Sequence, residues 1–252
     1  MRGRLAVFLL SNLLSSPASA QWIVYPTPGI PRTPDGKPNL TAPAPRTREG
    51  KPDLSGIWLT PSGRWLNNLA ADGVEVPFTP WALALYGERQ ENNGKGRPSE
   101  RCISHGVTDF DALGTPTKII QTPAVTAILF EAYNHYRQIF TDGRPLPKDP
   151  QPAWLGYSVG TWEVDTFVVD TIGLNDQTWL DDGGHPHSEA LKLTERFTRR
   201  DFGHMEIRIT IDDPQAYTKP WTVTIPKELM ADTELIEFMC ENEKDLPHMV
   251  GK

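Results

Sequence analysis

From Thr117 onward apolar and polar side chains alternate. Leu191, Leu193 and Phe197 take turns with polar residues, and Met205, Ile207 and Ile209 do so again after Arg200-Asp201-Phe202-Gly203. Alternation with period two lines one face of a strand, so His187–Arg199 and Met205–Asp212 are predicted to pair as a hairpin. Gly156–Glu163 and Thr166–Thr171 read as a second hairpin turning at Val164-Asp165. Lys118–Gln121 and Val125–Phe140, rich in β-branched and aromatic residues, read as β before it, and Trp221–Ile225 and Leu235–Glu241 after it. Leu54–Trp58 is a short opening strand. Thr79–Gln90 is the best helix: Thr79 caps, Pro80 suits the first turn, and Trp81, Leu83, Ala84 and Leu85 supply apolar surface. Glu91–Arg101 is polar and reads as a loop.

About six to eight strands with short turns and little helix predict a mainly β fold. The expected form is a single antiparallel, calycin-like β-barrel, with a sandwich as the alternative and one or two short helices. A barrel of about eight strands can hold one small ligand.

The N-terminal part is different. Arg2 and Arg4, the apolar Leu5–Leu14 and the Ala18-Ser19-Ala20 step read as an export signal over residues 1–20, with a mature chain from Gln21. Residues 21–53 are rich in Pro, Gly and Thr and read as an extended arm. The arm and its junction hold a near-repeat, Pro31-Arg32-Thr33-Pro34-Asp35-Gly36-Lys37-Pro38-Asn39-Leu40 and Pro45-Arg46-Thr47-Arg48-Glu49-Gly50-Lys51-Pro52-Asp53-Leu54. Residues 54–252 are then the barrel domain. An exported chain is periplasmic or secreted, and no later apolar run predicts membrane insertion after signal cleavage. A net charge of −7 with a pI near 5.4 gives no reason to expect a nucleic-acid partner. In an oxidising compartment the two cysteines, Cys102 and Cys240, are expected to form a disulfide.

Candidate chemistry concentrates in His185-Pro186-His187-Ser188-Glu189. Read as a strand, one face carries His185, His187, Glu189, Leu191, Leu193, Glu195 and Phe197. Buried carboxylates are costly unless paired, protonated or metal-bound. His185, His187 and Glu189 are therefore candidate ligands for one divalent ion (Zn, Mn, Fe or Cu). Two readings stay open beside it: a metal-free acid–base pair, and a polar strand end pairing with Arg196. In a second run Glu131, Tyr133, His135 and Arg137 share a face in one register. His135 is a candidate base, Glu131 and Tyr133 candidate substrate contacts, and Arg137 a candidate anchor for a carboxylate or oxyanion, unless the run is an ion-pair ladder. The loop with Asn175, Asp176, Trp179, Asp181 and Asp182 reads as a rim, Gly183-Gly184 giving it flexibility. Trp179 is a candidate substrate contact, and Asp176 and Asp181 are candidate orienters of the histidines. His105 reads as structural or exposed, His204 as outward-facing, and His248 lies in the tail. Serine-hydrolase, nucleotide and zincin motifs are absent from the sequence.

Pro52–Trp58, Arg137-Gln138-Ile139-Phe140-Thr141-Asp142-Gly143-Arg144-Pro145-Leu146-Pro147, Trp154–Glu163 and the His-Pro-His-Ser-Glu run resemble a largely uncharacterised family of exported bacterial β-rich proteins. The resemblance implies export and one β-rich domain, and brings no reaction, cofactor or catalytic residue. Val164 stands where that pattern has Gly, which implies a different turn geometry.

The residues themselves lead to an exported enzyme acting on a small organic molecule. His135, His185, His187, Glu189 and Glu195 would do the acid–base work of a lyase, isomerase or hydrolase. The alternative is a periplasmic carrier of a hydrophobic or aromatic small molecule.

Overall fold

The period-two segments bury one side each and pair in chain order. The structure, a computed structural model, describes residues 25–236 and 238. Its strands are β1 (Gly56–Leu59), β2 (Thr117–Gln121), β3 (Val125–Phe130), β4 (His135–Phe140), β5 (Tyr157–Glu163), β6 (Thr166–Ile172), β7 (Lys192–Arg199), β8 (His204–Asp212) and β9 (Trp221–Leu229). They form a closed nine-stranded barrel in which β9 pairs back onto β1, Trp58 opposite Leu229. All neighbours are antiparallel except β4 and β5, which run parallel and pair at Ile139–Ser158 and Phe140–Val159. The barrel expectation holds and the sandwich does not apply; the sheet is antiparallel save for that step. Three short helices accompany it: α1 (Arg64–Asn67), α2 (Pro80–Glu91) and α3 (Val107–Ala112). None of the described helices is long and apolar enough to cross a membrane. Thr79 caps α2, its hydroxyl accepting from the Ala82 N–H at 3.3 Å.

The lumen is filled by side chains. Ile139, Val169, Phe197, Ile207, Ile209 and Ile225 are almost fully buried. All six residues of α3 are buried as well, and Phe110 stacks on Phe130 with ring centroids 4.2 Å apart. The α3 carbonyl of Asp111 accepts from the β9 Lys227 Nζ at 2.6 Å and from Thr60 Oγ1 at 2.7 Å, so the helix plugs the barrel. The helices and the long loops 60–116, 173–191 and 213–220 gather at one end, here called the cap.

The arm lies across the opposite end. Its backbone carbonyls at Leu40 and Ala42 each accept from the β7–β8 turn at 2.7 Å, from the N–H groups of Gly203 and Phe202. A Cβ on Gly203 would sit 2.4 Å from that of Leu40, so only glycine allows this approach. The near-repeat is real in three dimensions: each copy folds into the same small clasp. Thr33 and Thr47 N–H groups donate to Lys37 and Lys51 carbonyls at 2.9 and 2.8 Å. Arg32 and Arg46 each reach the carbonyl of their own clasp glycine, Gly36 and Gly50.

Two predicted runs are corrected. Val125–Phe140 is not continuous: Tyr133 (φ 63°) and Asn134 (φ 51°) take left-handed backbone and turn β3 back into β4. Glu131, Tyr133, His135 and Arg137 therefore do not share one strand face. His185–Leu191 is loop, not strand. Pro186 has no N–H to give a ladder. The neighbouring donors bond to carboxylates instead, His185 N–H to Asp181 Oδ1 at 3.1 Å and Ser188 N–H to Asp213 Oδ2 at 2.6 Å. The export signal, Cys240 of the expected disulfide, His248 and most of the Leu235–Glu241 strand lie outside the described residues; Leu235 and Ile236 are not in a strand.

Candidate functional site

The polar groups of the cap fall into three sets. The first surrounds the start of α3. Gly106 precedes the helix and packs so tightly that a Cβ there would lie 3.0 Å from Thr178 Oγ1. His105, just before the extended N-cap Gly106, folds back over the first turn of α3, and its Nδ1 bonds to Asp109 Oδ2. Asp182 reaches the same place from the loop after β6. The ligand-bearing atoms of His105, Asp109 and Asp182 all lie within 4.8 Å of one another, the group that converges in this way among the described residues. Asp109 is 2% exposed, and its Oδ1 has no partner among the described residues. Burial pushes its carboxyl up to about 6 against the pull of His105. Burial also raises Asp182, with Arg97 and His105 opposing. The Tyr133 ring meets His105 edge-on at 4.7 Å, and its hydroxyl is raised by burial and by Asp109 and Asp182. Arg97 Nε is buried without a hydrogen-bond partner among the described residues and lies 3.9 Å from Glu100 Oε1.

The second set holds the histidines predicted as ligands. His185 Nδ1 bonds to Asp181 Oδ2 at 2.6 Å, while Asp181 also accepts from the Leu69 N–H. The imidazole is enclosed by Phe78, Tyr86 and Trp221 at centroid distances of 5.5, 4.5 and 5.7 Å. His187 donates from Nδ1 to the Ser188 carbonyl at 3.1 Å and accepts at Nε2 from Thr178 Oγ1 at 2.8 Å. Both of its nitrogens are occupied, and burial holds its pKa below the ordinary imidazole range. Glu189 is exposed in the turn before β7, beside a surface cleft of about 480 Å³. Since the segment is a loop, His185, His187 and Glu189 do not form a converging group among the described residues, whereas His105, Asp109 and Asp182 do. Asp181 does orient His185, as its position in the rim predicts. Gly183 and Gly184 do not supply flexibility: a Cβ on Gly183 would lie 2.3 Å from the Asn67 carbonyl oxygen, and Arg89 packs on Gly184. Arg89 also lies 4.1 Å over the ring of buried Trp179, which is therefore packing rather than a free contact.

The third set is inside the barrel. Arg137 from β4 meets Glu195 from β7 through both guanidinium ends, with Nη1 to Oε1 at 2.9 Å. Arg137 also donates to Ser158 Oγ at 3.1 Å and Thr171 Oγ1 at 2.7 Å. Glu195 is fully buried. Burial and the nearness of Glu195 raise the Asp111 carboxyl, and burial lowers Lys227. Arg137 is thus the counter-charge of Glu195, not an exposed anchor for substrate, and Glu195 is held by a partner rather than poised as an acid. Glu131 accepts from the Ile236 N–H at 3.2 Å and plays a structural part. His135 donates from Nδ1 to the Tyr133 carbonyl at 2.6 Å and sits half-exposed in a cleft of about 440 Å³ with Trp154 and Tyr157. His204 faces outward beside Asp201, as its place near the turn predicts.

His105, Asp109, Asp182, Asp111 and Lys227 are the residues that strand periodicity could not single out. The signal for the first two was the His-Gly-x-x-Asp run at the start of α3, where a residue before the N-cap meets one in the first helical turn. The geometry defines a closed, mainly up-and-down barrel with a His–Asp–Asp centre in its cap. Compared with protein-family models, curated proteins and solved structures, the chain matches none.

Proposed function

We propose that the protein is an enzyme acting on a small organic molecule by acid–base chemistry, with one divalent metal ion held by His105, Asp109 and Asp182. The observation that carries this reading is Asp109. A nearly inaccessible carboxylate whose second oxygen is unpartnered is relieved by protonation or by a cation, and the convergence of His105 and Asp182 on the same point favours the cation. One imidazole and two carboxylates suit Zn, Mn or Fe, and three protein ligands leave a coordination position open. A bound ion there would polarise a substrate oxygen or activate a water. Asp182, the half-buried member of the set, would face the incoming substrate. Tyr133, whose ring meets His105 edge-on, would be the proton donor. Arg97, with its buried Nε, would meet an anionic oxygen of the substrate. Lyase, isomerase and hydrolase reactions all use such a set.

The carrier alternative needs an apolar space in the lumen, and that space is taken up by α3, the Arg137–Glu195 pair and the aliphatic side chains around them. The same reading keeps the chain exported, with the Cys102–Cys240 bridge formed in the periplasm or outside the cell. N-terminal sequencing of the exported protein, beginning at Gln21, checks that part.

The test is elemental mass spectrometry on the untagged mature chain, beside His105→Ala and Asp182→Asn. Near-stoichiometric metal in the wild type that falls away in both variants supports the centre. A wild type that takes up neither Zn, Mn, Fe nor Cu rules it out.

A further inference from the structure

At the far end of the barrel from the His105 centre, the second clasp of the arm overhangs the barrel mouth. A cleft of about 660 Å³ separates them. One wall is the clasp, with Thr47, Arg48 and Glu49; the other is the rim, with Thr126, Thr161 and the half-buried Trp162. Three properties distinguish it. It has the size of a small-molecule site and lies at a barrel mouth, where such sites recur. It sets a flat indole beside threonine methyls and hydroxyls, so its lining is apolar on one side and hydrogen-bonding on the other. Its arm wall is internally fixed, the Thr47 N–H donating to the Lys51 carbonyl at 2.8 Å.

We propose that this cleft binds a short oligosaccharide of two or three sugar units, independently of the cap centre. A pyranose ring offers an apolar C–H face to an aromatic ring and hydroxyls at its edge, which is the division of the cleft lining. Arg48 makes no ion pair among the described residues and stands on the arm wall, where it would take a sugar carboxylate or hydroxyl. The arm wall is fixed to the barrel by Arg46, which pairs with Asp165, and by Lys51 Nζ, which donates to the Val164 carbonyl at 3.1 Å. The ligand would therefore touch the barrel and the arm together, and its affinity would depend on the clasp being closed.

Isothermal titration of the mature chain with trigalacturonate and with cellotriose tests this. The expected result is binding of at least one of them in the millimolar range or tighter. Trp162→Ala should weaken it about tenfold, the loss of one stacking face, and Asp165→Ala, which frees the clasp, should weaken it as well. His105→Ala should leave it unchanged. Should Trp162→Ala fail to fold, Arg48→Ala with Thr161→Val changes only exposed cleft residues and should give the same loss. Absence of binding by both sugars overturns the proposal. So does binding that survives the cleft variants, that is lost in His105→Ala, or that is exceeded by a simple aromatic acid such as benzoate.

Discussion

Arg46 and Asp165 face each other end to end, Nη1 to Oδ1 at 2.9 Å and Nη2 to Oδ2 at 2.7 Å. Arg32 repeats this with Asp232, at 2.9 and 2.5 Å. The two arginines hold the same position in the two copies of the near-repeat, so a duplication in sequence has become a duplication in docking. Both pairs are solvent-exposed, and exposed pairs contribute little to global stability. Asp165→Ala is therefore expected to leave Tm within about 2 °C of wild type. It should nonetheless speed limited proteolysis between Pro45 and Asp53, and raised salt should reproduce the effect in the wild type. An unchanged cleavage rate would show that the backbone contacts of the arm suffice.

Val164 occupies the β5–β6 turn with φ 53° and is 82% exposed. A β-branched residue pays a steric cost in left-handed backbone that glycine does not. Nothing in the fold uses its side chain, since Lys51 contacts only its carbonyl. Val164→Gly should stabilise by about 0.5–1 kcal/mol, after the greater entropy of the glycine-containing unfolded chain is subtracted. Urea melts of both proteins decide this, and a lower midpoint for the variant would contradict it.

Inside the barrel, Arg137 and Glu195 have no water to fall back on. Glu195→Gln should destabilise by about 3 kcal/mol or more, because it leaves the guanidinium and Lys227 under-compensated. Replacing both members, Arg137→Met with Glu195→Met, should cost clearly less than the sum of the two single changes. Denaturant unfolding of the double-mutant cycle measures the difference, and additivity would mean that the two side chains are not energetically coupled.

His187 gives the cap a pH dependence with a definite sign. Its folded pKa is depressed by burial, with the Ser188 carbonyl, Asp213 and Asp176 pulling it up and Arg89 pushing it down. The folded state thus holds fewer protons than the unfolded state below the ordinary imidazole pKa of about 6.5. Stability should be fully present above that pH and fall as the pH drops through it, by at most about 1.4 kcal/mol per unit for one site. His187→Gln should flatten that part of the profile, and an unaltered profile would assign the slope to other groups.

The later strands could be read from the sequence because the core dictates them. Leu193, Phe197, Ile207, Ile209, Val223 and Ile225 are all buried at period two, and β7 and β8 begin and end within a few residues of the alternation. The candidate site was less visible, because its backbone follows side-chain demands. Asp181 and Asp213 take the N–H groups that a strand through His185 and Ser188 would have offered to a neighbour. In the same way, nothing in the alternation of Val125–Phe140 announces that Tyr133 and Asn134 reverse the chain. Asn tolerates left-handed backbone, and that residue was the one local cue. His105 and Asp109 come together across the N-cap of a six-residue helix, too short to show periodicity of its own.

The parallel step between β4 and β5 follows from counting. A ring whose members reverse direction at every step closes on itself only when their number is even. Nine is odd, so one pair must break the alternation, and β4–β5 is that pair. The chain must then travel the length of the molecule between the two, which is what residues 141–156 do. Because β9 closes antiparallel onto β1, one of the consecutive pairs has to be parallel, and no sequence that keeps these pairings can replace the 141–156 connection with a tight turn.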